Sequence, residues 1–419
     1  MYGLIPPHYP SYTYGDLLSF PEGDAIPKFE EALAKYIKCE EVVLTSKGRV
    51  ALYLILKALG LEKQRILSPA FNCLVVPNTL HYLKCKISYA DVSLNDYNID
   101  VQKLAFLPRD TKAIIPTHLY GKPCDIEAVN EWAEKRGIVV IEDAAQSLGA
   151  SLNGINTGNF GIAGFLSFDL YKNFSTLDGG AVITNDHKLA EKIRELNERL
   201  YYPSTLTLAK KWFRGVIFKI ISNPIYYYPA RSLFFAVKKH YPTFGPGGIS
   251  KVEKTSLNQL PSCYSHKCSN FQASLGLKQI GKIDKWVEKR RKNAKLYNKL
   301  LSSEERIILP SETPECKHVY SRYVVRVEGI RREDILTELR RRGVDAGIWF
   351  DYVVHPHPKI RKTLGYTDGT CPNSELASKT VFDLPVYPHL KRKQIYYIAD
   401  TLKEIVETLK SNQVLHKHP

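Results

Sequence analysis

The sequence predicts an α/β fold, with a large domain on a mostly parallel mixed sheet flanked by helices and a smaller C-terminal α+β domain. Three observations predict it. The chain has 419 residues, too many for one small core, so a large domain plus a smaller one is expected. From Pro27 to about Glu195, amphipathic helical patterns alternate with short apolar runs, the signature of strands joined by crossover helices. Several runs are almost continuously apolar, as strands covered on both faces are.

Taken in order, Phe29, Leu33 and Tyr36–Ile37 recur at helical spacing. Gly48–Leu59 carries Val50, Ala51, Leu52, Leu54, Ile55 and Leu59 and reads as a largely buried helix. Strands are expected at Ile66–Leu67, Ile87–Ala90, Ala113–Pro116, Val139–Ile141, Phe165–Phe168 and Ala181–Thr184. After about residue 275 come a charged helix (Lys282 to Leu301), a strand-like His318–Val327 and a helix over Arg332–Arg342. A second strand-like piece at Asp345–Phe350 and a closing helix over Lys393–Lys410 follow. The expected divisions are an N-terminal arm over 1–25, a large domain over 26–200, an aromatic and basic insertion over 201–260, and a linker helix with the small domain over 261–419.

Within the insertion, Trp212, Phe213, Val216, Ile217, Ile220 and Ile221 fall on one helical face, with Lys210, Lys211, Arg214 and Lys219 largely outside it. Pro224 stops this helix, and Tyr226–Tyr228, Phe234, Phe235 and Lys238–Lys239 follow. An extra helical pair packed on the body or on a dimer mate is the first expectation. The second is membrane-surface contact through 207–240, or a lid over a lipid-linked substrate.

Hydrophobic residues at 44% and charged residues at 24% argue against disorder. No apolar run reaches the ~20 residues of a membrane-spanning helix. The start MYGLIPPHYP lacks a basic stretch followed by an apolar one, so a cytoplasmic protein, at most peripheral at the membrane, is expected. The eight cysteines are scattered, and Cys263 and Cys268 have no second pair for zinc. Reduced thiols and no metal are expected. A formal charge of +16 calls for an anionic partner: nucleic acid, an acidic membrane, or a phosphorylated or nucleotide-linked substrate. Zinc-finger spacing and an RNA-recognition aromatic signature are both missing, so nucleic acid ranks last.

Two segments carry chemistry. Val139 to Ser147 is an apolar run ending in acids, and the carboxyl end of a central strand opens into the ligand crevice of α/β proteins. A partly desolvated Asp143 there needs a cation beside it, unless it only caps a helix. Phe165 to Lys172 is a strand running into a loop, returning through Gly179–Gly180 to Ala181–Thr184. Pyridoxal-phosphate (PLP) chemistry requires a Schiff-base lysine, an acid at the pyridine nitrogen, a dipole-rich phosphate pocket and a donor to the phenolic oxygen. Lys172, Asp143 and, for the phenolic oxygen, Gln146 supply candidates.

The segments EDAAQSLGA, SFDLYKNFSTLDGGAVITND and PTHLYGKPCD resemble the hallmarks of the DegT/StrS-type aminotransferases, fold-type-I PLP enzymes that mostly aminate keto groups on nucleotide-linked sugars. The resemblance extends through FEEALAKYIKCEEVVLTSKGRVALYLIL, SHKCSNFQASLGLKQIGKIDKWVEKRRKNAKLY and VFDLPVYPHL, covering most of residues 25–410. It implies that Lys172 carries the cofactor and shuttles the proton, that Asp143 pairs with the pyridinium nitrogen, and that Gln146 meets the phenolic oxygen. It further implies that Ser167, Gly48 and Arg49 form the phosphate site at a helix start.

Three departures mark an unusual substrate. Cys73 stands where an aromatic often stacks on the pyridine ring. Ser265-His266-Lys267 replaces the Asn-Tyr-Arg that the family sends into its neighbour's active site, with Ser265 a phosphate donor and Lys267 a positive charge for the substrate. Asp169 stands where His or Tyr is common. His355 in VVHPHPK matches a small-domain histidine near the substrate, whereas His118 and Tyr120 are either structural or near the cofactor face.

The resemblance thus implies PLP as cofactor, L-glutamate or L-glutamine as amino donor, a keto-sugar acceptor, and a homodimer with shared active sites. A dehydratase or lyase ranks lower, because the family's sugar dehydratases replace the lysine with histidine. A non-catalytic regulator or scaffold is the alternative of another class.

Overall fold

The computed structural model describes residues 4–18, 23–106, 108–231 and 257–415. Phe234, Phe235 and Lys238–Lys239 of the insertion lie outside the described residues. The large domain runs α1 (Tyr14–Leu17), α2 (Ala25–Ile37), β1 (Glu41–Thr45), α3 (Gly48–Ala58), β2 (Arg65–Pro69), α4 (Val75–Tyr82), β3 (Lys86–Ala90), β4 (Thr111–Ile114), α5 (Ile126–Glu134) and β5 (Val139–Asp143). A small hairpin, β6 (Ser151–Leu152) and β7 (Ile155–Asn156), precedes β8 (Ala163–Ser167), β9 (Gly180–Thr184), α6 (His187–Glu198) and α7 (Thr205–Ile221).

Seven strands form the main sheet in the order β1-β9-β8-β5-β4-β2-β3. The pairs β2–β3, β2–β4, β4–β5 and β5–β8 are parallel, whereas β9 runs antiparallel to both β8 and β1. The Lys172 loop between β8 and β9 holds no helix, and the chain returns antiparallel. Alternation along the strands feeds two cores. Val43, Phe165 and Val182 pack with Val50, Leu54 and Ile193 on one face. Their neighbours Val42, Leu44, Leu166 and Ile183 pack with Phe29, Leu33 and Trp286 on the other. The edge strand β1 was not expected: its apolar stretch is Val42–Leu44, too short for periodicity to separate strand from helix.

The small domain follows α8 (Asn270–Ile280) and the long linker α9 (Ile283–Leu301). It comprises β10 (Ile307–Ile308), β11 (Cys316–Lys317), β12 (Tyr323–Val327), α10 (Arg332–Arg341), α11 (Pro358–Thr363), α12 (Pro372–Thr380), β13 (Val381–Leu384) and α13 (Arg392–Leu415). Strands β10, β12 and β13 form an antiparallel sheet, and β11 pairs with β6 of the large domain.

The strand expected at Asp345–Phe350 is not one. Only Gly347 meets Asp383, through a reciprocal pair of 2.8 Å backbone bonds. A Cβ at Gly347 would lie 2.5 Å from the Asp383 carboxylate, so the chain makes this approach at glycine alone. Beyond it Phe350 turns onto Phe71 of the large domain, with ring centroids 5.7 Å apart.

Helix α7 also departs from the single apolar face expected of it. Gly215, Phe218 and Lys219 are its buried residues. Leu206, Phe213, Ile217 and Ile220 stay exposed on the opposite side. Lys219, outside the expected apolar face, donates to the Pro10 carbonyl at 3.0 Å and lies 4.1 Å from the Tyr9 ring centroid. The N-terminal arm supplies the carbonyl that makes this burial tolerable. Ser222 and Asn223 separate α7 from a second helical stretch over residues 224–231, which Pro224 begins.

Candidate active site

Strands β5 and β8 run in parallel with Asp143 opposite Phe165. Their carboxyl ends, the start of α3 and the loop after β8 enclose a cavity of about 160 Å³. It is lined by seven of the residues expected in the site: Gly48, Arg49, Cys73, Asp143, Gln146, Ser167 and Lys172.

Asp143 ends β5 and is buried. One carboxylate oxygen accepts from the Ala145 N–H at 3.1 Å. The other faces the Thr117 hydroxyl at 3.5 Å, which is in turn held by Asn72 at 2.7 Å. Among the described residues no cation lies within ion-pair distance of it. Burial pushes its carboxyl above the ordinary value, and the charge of Lys172 only partly offsets that. Lys172 is held in a turn by its N–H to the Asp169 carbonyl at 2.9 Å, and its ammonium lies 5.8 Å from the Trp349 ring centroid. Burial lowers the lysine, with Cys73 and Asp143 acting against it. Burial likewise pushes the Cys73 thiol up, against the pull of Lys172 and Arg49.

The start of α3 is pressed onto the strand ends. A Cβ at Gly48 would meet the Ser167 Cβ at 2.8 Å, and one at Gly180 would meet the Gly48 nitrogen at 2.4 Å. No side chain caps this helix, so its first N–H groups and the Ser167 hydroxyl are set for an anion. The Gln146 carbonyl oxygen accepts from the Tyr120 N–H at 3.2 Å, while its amide NH₂ donates to no group among the described residues. A buried carboxylate with no ion-pair partner among the described residues, a half-buried lysine, an amide donor and an uncapped helix start around one cavity fit PLP: pyridinium, aldehyde, phenolic oxygen and phosphate each meet a matching group.

Ser265, Lys267 and His355 do not line this cavity. The Ser265 carbonyl accepts from the Tyr201 N–H at 2.8 Å, and Lys267 pairs with Glu198 at 2.8 Å with Tyr202 beneath it. His355 is fully buried, and its Nδ1 accepts from the His357 N–H at 3.0 Å. His118 proves structural: its Nε2 lies 2.8 Å from Glu142, whose carboxylate also takes three backbone N–H groups. Because its Nδ1 accepts from the Cys124 N–H, the proton sits on Nε2.

Three features were not read from the sequence. Trp349, in the segment taken for a strand, forms a wall of the cavity. Arg322 is buried over that indole, its guanidinium carbon 4.0 Å from the ring centroid, and shares a small adjoining pocket with Lys172 and Gln146. It donates to the Tyr171 carbonyl at 3.3 Å and faces Asp383 at 3.7 Å. Asp178, read only for the glycines beside it, takes both Lys47 and, at 3.2 Å, Lys211 of α7. Burial would raise its carboxyl, but the two lysines hold it well below the usual range.

The likenesses to known proteins agree with this geometry. The chain is 29% identical over 387 residues to a "Pleiotropic regulatory protein" of Geobacillus stearothermophilus, covering 91% of this chain and 89% of the relative. It is 26% identical over 398 residues to the dTDP-3-amino-3,4,6-trideoxy-alpha-D-glucose transaminase of Streptomyces venezuelae (92% and 88%). It is 25% identical over 339 residues to the GDP-4-keto-6-deoxy-D-mannose 3-dehydratase of Yersinia pseudotuberculosis (78% and 77%). Among solved structures, S. venezuelae DesV in complex with a ketimine intermediate superposes with a TM-score of 0.73 at 24% identity, over 94% of this chain and 92% of that one. These likenesses share the fold type I of PLP aminotransferases. A sequence profile matches residues 17–201 and 236–403, skipping most of the aromatic, basic insertion. With that match spanning the cavity and both domains, the chain belongs to the DegT/DnrJ/EryC1/StrS aminotransferase family and is a PLP-dependent aminotransferase.

Proposed function

We propose that the enzyme transfers an amino group from L-glutamate or L-glutamine to a keto group of a nucleotide-linked sugar, in glycan or secondary-metabolite biosynthesis. The observation that carries this reading is the pair Lys172 and Asp143, which line one cavity, the acid buried and, among the described residues, with no cation within ion-pair distance. When bound, PLP supplies an aldehyde that takes the donor's amine and a ring that accepts electrons from the carbon losing its proton. Asp143 would hold the ring nitrogen protonated, Gln146 would donate to the phenolic oxygen, and the start of α3 with Arg49 and Ser167 would bind the phosphate. Burial lowers the Lys172 pKa, the direction that suits its Nζ to taking the proton from the donor's α-carbon and later returning one to the acceptor carbon. Arg322 would receive the donor's carboxylate: its neighbour Asp383 is only loosely paired, at 3.7 Å, and guanidinium–carboxylate pairing is strong in a desolvated place.

The working unit in this reading is a homodimer, with Ser265 and Lys267 turned toward the partner's cavity rather than their own. His355 would act by holding the Val353–His357 loop, since it is buried away from the cavity. One relative is a dehydratase, which is the second reading, but Lys172 favours transamination. The regulatory name of another relative does not remove the need to explain the Lys172–Asp143–Gln146 set.

The test is the visible absorption of protein purified with PLP, before and after L-glutamate or L-glutamine, with Lys172→Ala as control. Bleaching of the band with release of the matching 2-oxo acid is expected, and no donor response in the mutant. A band indifferent to every amino donor would remove the aminotransferase reading.

A further inference from the structure

We propose that the outer face of α7 docks the enzyme onto an anionic lipid bilayer. Leu206, Phe213, Ile217 and Ile220 are 64, 60, 39 and 41% exposed. Their spacing places all four on one stripe of the helix. The opposite side of the helix is already used: Gly215 and Phe218 are buried against the body. Exposed Ile225, Tyr226 and Tyr228 follow the helix. Tyrosines of this kind settle at the headgroup level of a membrane. A contiguous apolar face of this size on a water-soluble surface calls for an occupant.

Charge selects the occupant. Among the described residues from Arg199 to Arg231 there is neither Asp nor Glu, while Arg199, just before the helix, and Lys210, on it, are exposed. The groove beside the helical stretch over 224–231 has a volume of about 1000 Å³. Tyr9, Ile225, Tyr228, Lys391 and Lys393 are among its lining residues, and no carboxylate is. Two copies of such a surface would bring like charges together, and lysine is depleted from the centres of protein interfaces. An apolar stripe with basic and tyrosine borders is what an anionic leaflet accommodates. Among the described residues no helix is long and apolar enough to cross a membrane, so the contact lies in the plane of the interface. Because Lys211 on the inner side of α7 reaches Asp178, the cavity would then sit about one helix diameter, ~10 Å, from the lipid.

The experiment is co-sedimentation of the full-length holoenzyme with phosphatidylcholine vesicles, with and without phosphatidylglycerol as a third of the lipid. Pelleting with the anionic vesicles only is expected. Phe213→Ser/Ile217→Ser/Ile220→Ser should weaken partitioning by roughly tenfold for each apolar side chain removed, while the glutamate half-reaction stays as in the parent protein. Lys391→Glu/Lys393→Glu, which leaves the stripe intact, should also release the protein. The proposal fails if the parent protein stays in the supernatant with anionic vesicles, or if both variants pellet like it. It fails equally if the triple variant changes sedimentation velocity from dimer to monomer in the absence of lipid, because a second copy then covers the stripe.

Discussion

The Leu177 side chain fills a notch that Gly215 of α7 leaves open: a Cβ at 215 would lie 2.5 Å from Leu177 Cδ2. Leu177 holds a left-handed backbone, φ +68°, a conformation costing a non-glycine residue about 1–2 kcal/mol. The contacts on either side show what maintains it. Lys211 pairs with Asp178, and the Phe218 ring lies edge-on to Tyr171 with centroids 4.8 Å apart. Residues 211, 215 and 218 share one face of α7, and all three grip the loop that presents Lys172. The helix skipped by the family profile is therefore a brace for the Lys172 loop.

Gly215→Ala tests the brace. Helix propensity alone would stabilise the variant by up to ~1 kcal/mol, whereas overpacking against a pinned Leu177 costs about 1–3 kcal/mol. A lower Tm of the holoenzyme and a slower glutamate half-reaction are expected, with Leu177→Ala in the Gly215→Ala background restoring part of both. A raised Tm would show that the notch has slack.

Asp143→Asn should leave PLP bound but slow the donor half-reaction by roughly a hundredfold or more, since removing one partner of a buried charge pair costs about 3 kcal/mol or more. The cofactor-free protein gives the sign of the pH effect. Burial raises the Asp143 pKa in the folded state. The native state therefore holds a proton that the unfolded chain has lost, and stability falls as pH rises from the ordinary carboxylate value through the raised one. Thermal unfolding of the apoprotein across pH 4 to 7 should show this slope, and Asp143→Asn should flatten it.

Much of this was legible in the sequence, for identifiable reasons. The strands of the main sheet are buried on both faces, so Val139–Ile141 and Ala181–Thr184 stand out as apolar runs. Asp143 closes β5 and Lys172 lies in the loop after β8, so both could be placed by counting on from such runs. Trp349 and Arg322 could not, because they reach the cavity from the small domain, and only the packing of two domains brings them to Lys172. The apolar pattern of α7 was visible, but its division between a buried and an exposed side depends on where Leu177 lies. Gly347 hid the end of a supposed strand for a similar reason: its partner Asp383 is remote in sequence.

Asp178→Asn should be among the more destabilising single changes in the large domain, by about 3–5 kcal/mol, because it leaves Lys47 and Lys211 converging on a neutral amide. Lys211→Met should cost less, since Lys47 still balances the acid. The parent carboxyl is depressed in the folded state. Its contribution is thus present above the ordinary carboxylate pKa and lost as pH falls through the lower value. Urea titrations from pH 7 down to 3 should show a steeper acid loss for the parent than for Asp178→Asn. Parallel curves would remove the two-lysine account.

Arg322→Met should raise the KM for the amino donor by roughly tenfold to a hundredfold, the worth of about 1.5–3 kcal/mol for a hydrogen bond to a charged group. PLP affinity should be unchanged, because Arg322 lies on the Tyr171 and Trp349 side of the cavity, away from the α3 start. Arg322→Lys keeps the charge without the planar fork, so partial recovery is expected. Unchanged donor kinetics in Arg322→Met would confine this residue to packing on Trp349.

Shared active sites can be tested by mixing two crippled enzymes. In Lys172→Ala every cavity lacks its lysine, and in Ser265→Ala/Lys267→Ala every cavity lacks the residues proposed to come from its partner. Each alone should be impaired. A mixed dimer, however, has one cavity with Lys172 in its own chain and intact Ser265 and Lys267 in the partner. Unfolding and refolding the two together should restore activity to about a quarter of the parent level, half the dimers being mixed and each having one intact site of two. If the residues served their own chain's cavity, no mixed dimer would hold a complete site and activity would stay at the level of the two separate variants. Full activity of Ser265→Ala/Lys267→Ala by itself would exclude both residues from the site. Their positions in this chain, turned to Tyr201 and Glu198 rather than to Lys172, make the first outcome the expected one.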